Sequence, residues 1–94
     1  MKKIILVGGG GHCKSVIDVI EQENKFKISG IVDQHKFLGS KILGYKVIGT
    51  DSDLSKLARK YKYALVTVGQ TKTPLIRKKL FTLINKAKFI FSTY

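Results

Sequence analysis

The sequence predicts an α/β domain of three layers, a central parallel sheet covered by helices on both faces. Short apolar runs alternate with stretches of helical periodicity along the chain, the pattern of strands joined by helical crossovers. The first such run ends on four consecutive glycines, Gly8 to Gly11. The length, 94 residues with 44% hydrophobic content, suffices for one core and leaves no room for a second. Residues 1–94 are therefore read as a single domain.

Residues 3–7 are apolar after Lys3 and run straight into glycine, as expected of a buried parallel strand entering a tight turn. From Gly11 to about Glu23, the apolar residues Val16, Ile17 and Ile20 recur at helical spacing between polar Lys14, Asp18 and Glu21, which predicts the first helix. Ile28, Ile31 and Val32 predict a second strand from Lys27 to Asp33. Gln34 to Gly44 shows little periodicity and is expected to be a loop, followed by a short strand from Tyr45 to Ile48. Thr50 and Asp53 have the spacing of a capping box, and Leu54, Leu57, Ala58 and Tyr61 then form one stripe on a second helix. The β-branched and aromatic run Tyr63 to Val68 predicts a central strand ending at Gly69. Thr73-Pro74 resembles a helix start, with Ile76, Leu80, Leu83 and Ile84 as the buried face of a third helix, and Lys88 to Phe91 predicts a last strand. The chain ends just after it, so a fragment of a longer protein is expected.

Composition narrows the function classes. No apolar run approaches 18 residues and no signal peptide is visible, so a cytoplasmic location is expected and a membrane partner is not. Cys13 is the single cysteine, and His12 and His35 lack metal-ligand spacing, so no metal is expected. The formal charge is +12, and after Asp53 ten basic residues meet no acidic one. Such a field favours phosphate-bearing ligands or nucleic acid in general, without specifying either.

The chemistry concentrates at the glycine run. Glycine permits the sharp reversal between strand and helix, and lets backbone N–H groups approach a ligand with no Cβ in the way. The helix start behind it offers unpaired donors and a partial positive charge. A diphosphate is the expected guest, bound at the carboxyl edge of the sheet where Asp33 and Gly69 also arrive. The Rossmann fingerprint G-x-G-x-x-G is met only in part: Gly8 and Gly10 fill its first two places, and Cys13 stands at the third. His12, in the first helical turn, is positioned to donate a hydrogen bond to phosphate or sugar, or is simply solvated. Cys13 is read as a packing residue, His35 as a surface residue, and Arg77, Lys78 and Lys79 as a solvated helix face.

Lys3-Ile4-Ile5-Leu6-Val7-Gly8-Gly9-Gly10-Gly11-His12 with Val16-Ile17-Asp18 resembles the opening of the NeuD/PglD-type sugar acetyltransferases, which include sialic acid O-acetyltransferase-like and bacillosamine N-acetyltransferase-like proteins. The likeness continues through Gly30-Ile31-Val32-Asp33, Gly44-Tyr45, Val47-Ile48-Gly49 and Val68-Gly69-Gln70, with Arg77 downstream. The resemblance implies a Rossmann-like domain that binds a UDP-sugar or amino-sugar, here without the C-terminal left-handed β-helix that binds acetyl-CoA and forms homotrimers. It implies substrate contacts at Gly8, Gly10, Gly11, His12, Asp33, Gln34 and Gly69. Gln34 departs from the acidic residue usual in the bacillosamine enzymes. The family's general base lies in the β-helix, so this segment alone is expected to hold no catalytic residue and to be inactive.

Two other readings stand beside this one. A small NAD(P)- or nucleotide-binding domain would share the strand, glycine turn and helix, but the third fingerprint glycine is missing. A basic nucleic-acid-binding module would account for the charge, but the lysines do not interleave with aromatics in any recognised nucleic-acid motif, so nucleic acid is not expected as the partner.

Overall fold

In the computed structural model, which describes residues 2–67, 78, 82 and 90–91, the chain runs β1 (Lys2–Val7), α1 (Gly11–Glu23), β2 (Phe26–Val32), a 3-10 turn (His35–Phe37), β3 (Lys41–Ile42), β4 (Tyr45–Gly49), a second 3-10 turn (Asp51–Asp53), α2 (Leu54–Lys60), β5 (Tyr63–Val66) and β6 (Ile90–Phe91). The strands form one sheet in the order β3-β4-β2-β1-β5-β6. All neighbours pair in parallel except β3 with β4. From β1 the chain builds outward through β2 to β4 and then crosses back to lay β5 on β1's other side. The direction of winding therefore reverses at the carboxyl ends of β1 and β5, where open α/β sheets bind their ligands.

The two faces of the sheet bury different residues because side chains alternate along each strand. On one face, Ile4, Leu6, Ile28, Ile31, Val47 and Leu65 pack with Cys13, Val16, Ile17 and Ile20 of α1. On the other, Ile5, Val7, Val32, Ala64 and Val66 pack with Leu54, joined by the partly buried Leu57, Ala58 and Tyr61. Ile4, Ile5, Leu6, Ile17, Ile20 and Ile31 have no solvent exposure, and each such side chain contributes about 1.5–3 kcal/mol by leaving water. Ile28 and Ile31 are three apart yet share a face, because the register with β1 shifts between Ile4 and Ile5 and leaves Ser29 unpaired. The bulge reverses the alternation within β2.

Local signals act where expected at the helix ends. Asn24 follows α1 in the left-handed region at φ 55, and its N–H bonds the Ile20 carbonyl at 3.1 Å, a cap that asparagine tolerates better than most residues. The capping box of Thr50 and Asp53 forms, with the Thr50 N–H donating to the Asp53 carboxylate at 2.9 Å. It starts a 3-10 turn that leads into α2, and α2 stops at Lys60, one residue short of the expected stripe. Tyr61 is extended at φ −122 and still reaches the core.

The expected loop from Gln34 to Gly44 is not irregular throughout. It holds the first 3-10 turn and β3, which closes a hairpin on β4 through the two-residue turn Leu43-Gly44, with φ values of 50 and 89. A two-residue strand has too few positions to show a period, and leucine is not a residue that announces a turn with both central φ values positive. The third helix expected from Thr73 lies outside the described residues apart from Lys78 and Thr82, both helical, where the Thr82 hydroxyl donates to the Lys78 carbonyl at 3.0 Å. Ile90 and Phe91 pair with Tyr63 and Ala64 as the last strand.

Candidate functional site

The glycine run leaves the middle of the sheet and is held from both sides. The Gly8 N–H donates to the Val32 carbonyl of β2 at 2.8 Å. The Gly8 carbonyl accepts from the hydroxyl of Thr67, which is itself bonded through its N–H to the Val7 carbonyl at 2.9 Å. Gly8 is buried and sits at φ 115, a conformation that L side chains rarely adopt, so glycine is required there. Thr67 is 1% exposed. As a buried polar residue just past β5 it was not singled out from the sequence, where a threonine within a β-branched run signals only strand.

The four glycines serve different ends. A Cβ on Gly9 would lie 2.4 Å from Ile42 Cδ1 and 2.7 Å from Asp33 Oδ2, so the chain at Gly9 is crowded by its own neighbours. At Gly10 and Gly11 a Cβ would meet nothing within 4 Å, and both residues are exposed. Gly10 is the extended residue before α1, at φ −170 and ψ −162, and its carbonyl accepts the Lys14 N–H at 3.2 Å. No side chain caps this helix start. Its first backbone donors thus open onto uncrowded space, the arrangement that attracts an anion.

His12 is exposed in the first turn of α1, and its ring makes no hydrogen bond among the described residues. Asp33 follows β2, half-buried, with its N–H bonded to the Gly49 carbonyl at 3.2 Å. Asp33 Oδ1 accepts the Gln34 N–H at 2.8 Å, while Oδ2 is the oxygen turned toward Gly9. Gln34 is exposed. The structure therefore brings Gly8, Gly10, Gly11, His12, Asp33 and Gln34 to one edge of the sheet, and Gly69 lies outside the described residues together with Arg77 and Lys79. Gly9, Ile42 and Thr67 are the neighbours that the sequence reading did not single out.

Cys13 occupies the third fingerprint position as a filler between helix and sheet. It has no solvent exposure, and burial pushes its thiol up, outweighing hydrogen bonds from Thr67 and the Gly10 backbone that favour the thiolate; Asp33 adds a small push in the same upward direction. A thiol so placed is a packing group rather than a nucleophile. Among the described residues no group of three or more His, Cys, Asp or Glu could hold a metal, and no helix is long and apolar enough to cross a membrane. The edge offers backbone donors, one imidazole and one carboxylate.

A family model described as the PglD N-terminal domain matches residues 3–84. No curated relative matches the chain. A solved mutant of perosamine N-acetyltransferase from Caulobacter crescentus, in complex with CoA and GDP-perosamine, is similar with a TM-score of 0.80 and 27% identity, over 95% of this chain and 40% of that one. PerB from Caulobacter crescentus, with the same two ligands, gives 0.78 at 27% identity and the same coverage. A Rex-family repressor, RSP, is similar at a TM-score of 0.73 and 15% identity over 95% of this chain and 42% of its own, a likeness of fold alone. The chain thus spans 40% of the length of the acetyltransferases it matches.

Proposed function

Since the chain belongs to the PglD N-terminal domain family, we propose that residues 1–94 are the nucleotide-sugar-binding domain of an acetyl-CoA-dependent sugar acetyltransferase. The observation that carries this reading is the division of the glycine run. Gly8 takes a backbone conformation that asks for glycine and Gly9 is crowded by side chains of the protein itself, whereas Gly10 and Gly11 face open space at an uncapped helix start. An absent side chain that the protein itself does not need is explained by a ligand that passes close to the backbone. The diphosphate lies against the Gly10–His12 backbone, His12 donates to phosphate or sugar, and Asp33 and Gln34 accept and donate toward the remainder of the nucleotide sugar, with Gly69 as a further contact.

Acetyl-CoA, the general base and a trimeric assembly belong in this reading to the rest of the enzyme, and the segment by itself does not turn over. The amino sugar of the perosamine enzymes makes N-acetylation the first activity to assay, with O-acetylation of a sialic-acid-type sugar as the alternative. A cytoplasmic enzyme of glycan biosynthesis is the setting that supplies both substrates. Isothermal titration of the chain with UDP-N-acetylglucosamine, GDP-mannose and NAD tests the reading. A nucleotide sugar is expected to bind more tightly than NAD, because Cys13 fills the place where a dinucleotide fold has glycine. Micromolar binding of NAD with no response to either sugar nucleotide would replace this reading with a redox or sensing domain.

A further inference from the structure

Gly9 lies outside the fingerprint positions, yet a side chain there would be crowded, unlike one at Gly10 or Gly11. The space that its missing side chain leaves is filled by two side-chain ends, Ile42 Cδ1 at 2.4 Å and Asp33 Oδ2 at 2.7 Å from where a Cβ would stand. Ile42 arrives from β3, the edge strand of the sheet, and Asp33 from the end of β2. The Asp33 carboxylate is held at Oδ1 by the Gln34 N–H at 2.8 Å, and its Oδ2 occupies the space beside Gly9 where a Cβ would stand. Oδ2 accepts no hydrogen bond among the described residues and faces the same loop that offers the open donors of Gly10 and Gly11.

We infer that Gly9 is a positioning residue for Asp33: its lack of a side chain leaves room for the free carboxylate oxygen beside the glycine loop, where it accepts a hydrogen bond from a donor group of the bound ligand. The inference rests on the reading of this edge as a nucleotide-sugar site and adds to it a residue that touches no ligand. Both groups that a methyl would strike are the far ends of flexible side chains, so Gly9→Ala can be accommodated by turning Ile42 and Asp33 aside, with the strands left in place. The fold survives while the carboxylate moves. Gly10→Ala, with nothing within 4 Å, leaves Asp33 untouched.

Two measurements on the full chain test this, one with ligand and one without. In titrations with UDP-N-acetylglucosamine and GDP-mannose, Gly9→Ala and Asp33→Ala are each expected to weaken binding by about tenfold, the loss of one hydrogen bond. The double variant should be no weaker than Asp33→Ala alone, and the melting temperature of Gly9→Ala should stay close to that of the parent. Effects that multiply in the double variant would overturn the inference, since Gly9 would then act independently of Asp33. In the absence of ligand, the backbone amide resonance of Gln34 reports its bond to Asp33 Oδ1. It should shift in Gly9→Ala toward its position in Asp33→Ala and stay in place in Gly10→Ala. An unmoved Gln34 resonance in Gly9→Ala sinks the coupling even if no nucleotide sugar binds the parent, an outcome that would by itself sink only the proposed ligand.

Discussion

A methyl group at Gly11 would meet nothing within 4 Å, and the residue has no positive φ. Alanine there would strain no glycine-only conformation, so the cost proposed for it is the close passage of a ligand. Gly11→Ala should leave the melting temperature unchanged or raise it, since alanine exceeds glycine in helix propensity by up to about 1 kcal/mol, while nucleotide-sugar affinity falls steeply. His12→Ala should cost about 0.5 to 1.5 kcal/mol of binding, or up to roughly 3 if its partner is charged, with little change in stability because the ring is exposed. Calorimetric titration and thermal melts of both variants decide the matter; a His12→Ala chain that binds like the parent but melts many degrees lower would make His12 structural. From the sequence, four consecutive glycines are indistinguishable. Only φ at Gly8 and the contacts around Gly9 separate these two from the open Gly10 and Gly11.

Among the elements, those with long apolar periods were legible and the hairpin was not. β1, α1, β2, β4, the capping box and β5 follow from residue spacing, whereas the segment from Gln34 to Gly44 has no period to read. Its turn carries a cost: Leu43 is in the left-handed region at φ 50 and is 58% exposed, so burial does little to offset the roughly 1–2 kcal/mol of steric strain. Leu43→Gly is expected to stabilise the domain by up to about 1 kcal/mol, the strain relieved being partly offset by glycine's greater freedom in the unfolded chain, and to raise the midpoint of urea unfolding. Leu43→Ile should lower it, because a β-branched side chain suits that conformation least. Opposite midpoint shifts would show that the turn is held there by its strands. β3 also sets Lys41 directly across from Lys46, a like-charged pair that weakens the hairpin rather than sustaining it. The tie that counters it is the Tyr45 hydroxyl, which donates to the Glu21 carboxylate of α1 at 3.2 Å.

For the whole molecule, charge is the property most visible in the sequence and least informative about position. With a formal charge of +12, nucleotide-sugar affinity should fall as salt rises from about 0.05 to 0.5 M, where the screening length drops well below 10 Å. Titrations across that range measure the slope, and duplex DNA binding more tightly than any nucleotide at about 0.15 M salt would make the basic surface the function and the glycine loop incidental.

The bond from Thr67 to the Gly8 carbonyl joins residues 59 positions apart in the chain. Strand, glycine turn and helix are neighbours in sequence, but the turn is held on its second side only after β5 has found its place beside β1. Closing so long a loop spends chain entropy before any contact repays it. During synthesis, then, a chain that has emerged as far as α2 already possesses all four glycines of the run, held only by the tie from Gly8 to Val32 of β2. The second tie on the glycine turn arrives late, with Thr67, as a timed property of the growing chain.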